Sequence, residues 1–173
     1  MSLVKLDFGN LNEYLLIMMA PSLPSSSRYL TVSNATSGAH WTGSPEPLSM
    51  LLPLFGVKFI DLGDSCFALT STDEGVTKYL SVVANNGGYI SATSSRITEN
   101  EIFAIYTERD TTEDNSFYLA SATGKFVTMV ESSDEFGDIV YKAIANAEAT
   151  DLKTKFSLYA VVRPDDGTIT KFS

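Results

Sequence analysis

One histidine (His40) and one cysteine (Cys66) are all the sequence offers for nucleophilic or soft-metal chemistry. A lone cysteine excludes an intramolecular disulfide and a cysteine-based zinc cluster, and a lone histidine excludes a multi-histidine metal site. A serine or cysteine nucleophile needs a base within reach. No Gly-x-Ser-x-Gly elbow accompanies His40, and phosphate loops, dinucleotide fingerprints and His-Glu-x-x-His are absent too. Cys66 opens a strand-like run ahead of Phe67 and reads as a buried, unreactive thiol. Ser133–Asp138 has oxygen ligands but lacks the alternating spacing of a calcium loop, so it reads as a solvated acidic turn. The expectation is a non-enzyme with no cofactor and no metal.

The residues suited to recognition are more informative. The stretch from Asn34 ends in Gly38-Ala39-His40-Trp41-Thr42, and Asn85-Asn86-Gly87-Gly88-Tyr89 resembles it further along. An aromatic face suits the C–H face of a sugar, and amides suit its hydroxyls. The expected ligand contacts are therefore Asn34, His40, Trp41, Asn85, Asn86 and Tyr89. Trp41 would stack, and the asparagines would hydrogen-bond. The third counterpart offers Ser132-Ser133-Asp134 and Phe136. Two other segments stand out. Pro21 and Pro24 stiffen a loop that could dock with little entropy loss, as an inhibitor loop does. Leu48–Phe55 carries six large apolar side chains in eight residues, expected to pack on the core or to form a homodimer seam.

What positions these residues is a threefold repeat. Arg28-Tyr29-Leu30-Thr31-Val32, Lys78-Tyr79-Leu80-Ser81-Val82 and Lys125-Phe126-Val127-Thr128-Met129 share one pattern, with the aromatic residues 50 and 47 positions apart. Each is followed by a glycine-bearing turn and a second strand-like run. Upstream and downstream runs such as Phe67-Ala68-Leu69 and Phe156-Ser157-Leu158-Tyr159-Ala160 complete four short strands per repeat. Asn12–Ala20 and Tyr141–Lys155 admit a helical reading, but the repeat register favours strands, with a short helical turn within 146–155. Alternation predicts that Leu80 and Val82 face one way while Tyr79 and Ser81 face the other. One such unit cannot bury its apolar face; three closed into a barrel can. A single domain over residues 1–173 is expected, with repeats at about 11–63, 64–110 and 114–162 and a tail at 163–173.

Four strands repeated three times resembles the all-β β-trefoil. The Lys78-Tyr79-Leu80-Ser81 strand, the glycine turn and Glu101-Ile102-Phe103-Ala104-Ile105 are similar to the fascin-type trefoil, and the texture resembles amaranthin-type agglutinins. The ricin-type Gln-x-Trp signature is missing. The resemblance implies a lectin-like module that binds a glycan or glycoprotein through inter-strand loops. Its alternatives are a fascin-like cytoskeletal or protein-interaction module and a trefoil-type protease inhibitor acting through Pro21–Pro24.

Charge and hydropathy narrow the setting. Twelve basic against 21 acidic residues give −9, which disfavours nucleic acid and anionic membranes. The apolar run Leu15–Ala20 is short and preceded by Asp7 and Glu13, unlike a signal peptide. A cytoplasmic location without membrane insertion is expected, where the Asn34-Ala35-Thr36 sequon would go unused.

Overall fold

The computed structural model describes residues 3–5, 14–32, 39–48, 50, 56–73, 75–83, 87–108, 116–163 and 168–171. Three four-stranded units follow one another. The first is β2 (Leu15–Met19), β3 (Tyr29–Val32), β4 (Trp41–Ser44) and β5 (Val57–Gly63). The second is β6 (Cys66–Asp73), β7 (Val76–Val83), β8 (Tyr89–Ser94) and β9 (Phe103–Glu108). The third is β10 (Ser116–Ser121), β11 (Phe126–Ser133), β12 (Ile139–Ala147) and β13 (Lys155–Val162). Short strands β1 (Leu3–Lys5) and β14 (Ile169–Lys171) add to β9 and β13 respectively. The sequence pattern did not anticipate β1. Among the described residues no helix is long and apolar enough to cross a membrane.

The outer strands of each unit close a ring. β2 pairs with β5, β5 with β6, β6 with β9, β9 with β10, β10 with β13, and β13 returns to β2. This ring removes the open edges that an isolated unit would expose. Its interior is built from equivalent positions. Leu16, Phe67 and Phe117 form one layer, Met18, Leu69 and Leu119 the next, and all six are buried. Phe59, Phe103 and Phe156, near the start of each fourth strand, are buried as well; Phe59 stacks on Phe67 with centroids 4.4 Å apart.

The inner strands form hairpins β3–β4, β7–β8 and β11–β12 that cap one end of the ring. They meet around the pseudo-threefold axis through Lys142↔Thr42, Ile144↔Tyr89 and His40↔Ser91. That register makes His40, Tyr89 and Lys142 equivalent, and likewise their successors Trp41, Ile90 and Ala143. The three successors fill one buried layer with a large, a medium and a small side chain.

The ladder between β7 and β8 carries a bulge at Thr93 of β8. The pairing with β8 shifts between Tyr79 and Leu80. Ser81 is buried where the 99–101 turn packs on β7, and its hydroxyl donates to the buried carboxylate of Glu101. The amide and hydroxyl of Thr98 donate to the other oxygen of Glu101 at 2.8 and 2.7 Å, completing a capped 3-10 turn at Glu99–Glu101. The third repeat has the same device, with Asp151 capping Leu152–Thr154. The helical alternative for 141–155 thus reduces to this single turn after a strand.

Gly43 shows how tightly the first hairpin sits on the preceding loop. A Cβ there would lie 1.9 Å from the backbone oxygen of Ser27. Gly43→Ala is therefore expected to cost about 3 kcal/mol, a fall of roughly 10 °C in Tm, checked by thermal denaturation.

Candidate functional site

The cap sorts the sequence-derived candidates. Trp41 is 1% exposed, in the layer with Ile90 and Ala143, so its indole offers no face for a sugar and the stacking role is corrected. Strand alternation is the cause: His40, Tyr89 and Lys142 occupy one side of the cap strands, and the residue after each turns into the core. Asn34, Asn85 and Asn86 lie outside the described residues.

His40 and Tyr89 do come together. Their rings meet edge-to-face with centroids 5.5 Å apart, and His40 Nδ1 hydrogen-bonds Ser91 Oγ at 3.1 Å. The third member is Lys142, whose Nζ lies 5.9 Å from the Tyr89 ring centre. The sequence reading placed the third counterpart at Ser132–Phe136. The third hairpin is longer, with Lys142 lying 16 positions after Phe126 where Tyr89 is 10 after Tyr79 and His40 11 after Tyr29, so the equivalent position falls further along. Phe136 instead stands at the hairpin tip, 82% exposed. Asp134 Oδ1 accepts the amides of Phe136 and Asp138, both at 2.9 Å, and fixes that tip.

A second set of features repeats around the axis. Wherever the loop between the first two strands of one repeat meets the hairpin of the preceding repeat, a cleft opens. The cleft between repeats one and two has about 270 Å³ and includes Ala39, Asp73 and Lys78. That between repeats two and three has about 330 Å³ and includes Glu99, Asn100 and Lys125. The cleft between repeats three and one is the largest of these, about 500 Å³, and is lined by Ser22, Pro24, Met129, Glu131, Tyr141 and Lys153 among others. Of the three it alone includes an aromatic ring.

Each wall of that largest cleft is fixed. In the loop, Ala20 N donates to Arg28 O at 2.8 Å and Ser27 N to Pro24 O at 2.9 Å. Arg28 Nε and Nη2 both donate to Leu23 O, at 3.1 and 3.0 Å, while the Leu23 side chain is buried. On the hairpin, Glu131 pairs with Tyr141 and Met129 with Ala143, so one face runs from the core out to the rim. Thr128 Oγ1 donates to Lys153 O at 3.2 Å and ties the capped turn to β11. No local motif signals this cleft, because its residues come from positions 22–24 and 128–153.

The remaining expectations are quickly placed. Cys66 is half-buried rather than buried. Within the apolar insertion, Leu48 is 65% and Met50 81% exposed, and residues 49 and 51–55 lie outside the described residues. The preceding segment is anchored by buried Pro47 and by a hydrogen bond from the Tyr159 hydroxyl to Glu46. Burial, then that bond, pushes the Tyr159 phenol up to about 12. Tyr159 also meets Tyr29 edge-on at 4.9 Å.

Solved structures of similar shape were found by comparison. A designed 3-fold symmetric protein, ThreeFoil, matches with TM-score 0.60 at 19% identity, over 85% of this chain and 98% of its own. The chain folds as a β-trefoil. The SDF2-like protein from Arabidopsis thaliana matches with TM-score 0.64 at 10% identity, over 87% of this chain and 94% of its own. The S. cerevisiae protein O-mannosyltransferase Pmt1–Pmt2 complex bound to the sugar donor contains a region matching 93% of this chain, 27% of that chain, with TM-score 0.64 at 11% identity. No family model and no curated protein sequence matches the chain.

Two outcomes test the placement of the cap residues. Trp41, the single tryptophan, is expected to emit at short wavelength and to resist iodide quenching. His40 is held below its ordinary 6.5 by burial and then by the Lys142 charge. The unfolded chain thus takes up its proton first as pH falls, so the native state loses stability below about pH 6.5. His40→Gln is expected to flatten the loss between pH 7 and 5 that urea titrations measure.

Proposed function

We propose that this trefoil is a non-catalytic carbohydrate-binding module whose sugar site is the cleft between the third and first repeats. The observation behind the reading is Tyr141. Its ring lines a cleft that also holds a carboxylate (Glu131), an ammonium (Lys153) and a hydroxyl (Ser22), with Pro24 and Met129 as apolar lining. Sugars present C–H faces for aromatic and aliphatic contact and hydroxyls that both donate and accept, and this donor set answers each. The volume falls in the range of small-ligand sites. Walls held by backbone hydrogen bonds limit the ordering cost on binding.

A second reading rests on Phe136. A rigid, exposed aromatic tip flanked by Glu135 and Asp138 has the form of an anchor for a protein partner, in keeping with the protein-interaction role the fascin-type resemblance implies. The protease-inhibitor reading is less favoured, because Leu23 in the Pro21–Pro24 loop is buried rather than presented.

Glycan arrays followed by calorimetry on the best hit separate the two main readings. Tyr141→Ala is expected to weaken sugar binding about tenfold or more, roughly 1.4 kcal/mol, while Phe136→Ala leaves it unchanged. An array without hits, or a Tyr141→Ala variant of undiminished affinity, would remove the sugar reading.

A further inference from the structure

The pseudo-threefold axis gathers two basic side chains in a strongly acidic chain. His40, Tyr89 and Lys142 are brought together by the three bridges that join the hairpins. Ala92 N donates to Ala39 O at 3.0 Å and Ala145 N to Gly88 O at 2.9 Å, which locks the strands on either side. Lys142 makes no ion pair among the described residues, where the salt bridge present joins Lys125 to Glu148. The charged group acting on His40 is Lys142 itself, of like sign. On β8 the titratable neighbour is Tyr89, and on β12 it is Lys142. The β3 residues at this end, Thr31 and Val32, do not titrate. Among the described residues no carboxylate forms an ion pair with Lys142, although acidic residues outnumber basic ones 21 to 12 in the chain.

A lysine ammonium without a paired carboxylate, held beside an imidazole that can take up a proton, forms a site that an anion completes. We propose that the apex is a proton-linked oxyanion site, taking a phosphate, sulfate or carboxylate group against Lys142 and His40. Lys142 supplies a permanent charge beside the Tyr89 ring. His40 is only 8% exposed and has Nδ1 engaged by Ser91, so in the protonated ring Nε2 is the nitrogen left to donate to an anion. The imidazole is neutral in the unliganded protein near pH 7, because burial and Lys142 disfavour its charged form. An arriving anion offsets both and draws a proton onto the ring. Binding therefore takes up a proton and tightens as pH falls through the titration of His40. His40, Tyr89 and Lys142 line none of the three inter-repeat clefts described, so this site stands or falls independently of the sugar cleft.

A single histidine makes the test direct. Its imidazole proton resonances are followed by NMR against pH, with inorganic phosphate, sulfate, glucuronate or neutral glucose at matched ionic strength. One or more of the three anions is expected to raise the pH of half-protonation of His40 by about one, reflecting about tenfold tighter binding to the protonated form, while glucose does nothing. Which anion acts distinguishes a mineral oxyanion from a sugar acid. Lys142→Met is expected to abolish the anion effect and Lys142→Arg to keep it, with the dispersed His40 signal reporting that each variant is folded. A His40 titration indifferent to all three anions, or an equal response in Lys142→Met, overturns the proposal.

Discussion

The seam between β13 and β2 is the contact on which the rest of the molecule depends. Five residues of β2 pair with β13, from Met19 opposite Ser157 to Leu15 opposite Val162. Without this ladder the outer strands would form an open sheet with two bare edges and a half-solvated row of large apolar side chains. With it, the layers of Leu16, Phe67 and Phe117 and of Met18, Leu69 and Leu119 close on one axis. Closure also places the stiff loop after β2 beside the third hairpin, which creates the largest of the three inter-repeat clefts described. The candidate sugar site is thus a consequence of joining the first repeat to the last.

Pseudo-symmetry is kept where packing demands it and released where it does not. The buried positions Leu30, Leu80 and Val127 are matched in kind, and so are the three phenylalanines of the fourth strands. The layer of Trp41, Ile90 and Ala143 keeps its combined bulk while distributing it unequally, so a space filled by one large ring is spared two others. The residues before them, on the other side of the cap strands, differ in kind: a buried imidazole, a phenol and an ammonium. Function can diverge among repeats at such positions because no shared core constrains them.

Strand alternation and the recurring aromatic–aliphatic–hydroxyl run made the twelve principal strands readable from the amino-acid order. The inward turn of Trp41 was readable too, by setting Trp41 against Ile90, but its aromatic character suggested a surface role. Lys142 was missed for a physical reason: the third hairpin is longer, so counting from its glycine gives the wrong residue. The burial of Ser81 comes from the turn that carries its partner Glu101, twenty residues away, which alternation within one strand cannot signal. β1 is only three residues long and lies outside the repeat pattern. The cleft was beyond reach, since fold closure alone brings its walls together.

Because the strand that seals the ring is the last of the twelve, a ribosome must release residue 162 before β2 can find its permanent neighbour. Until then the nascent chain carries a greasy strand, Leu15–Met19, with unsatisfied backbone amides along one side. Such long-range pairing folds slowly and leaves a window for self-association. Synthesis of this protein is consequently a race between chain completion and capture of that early segment, and anything that stalls translation within the third repeat lengthens the exposure.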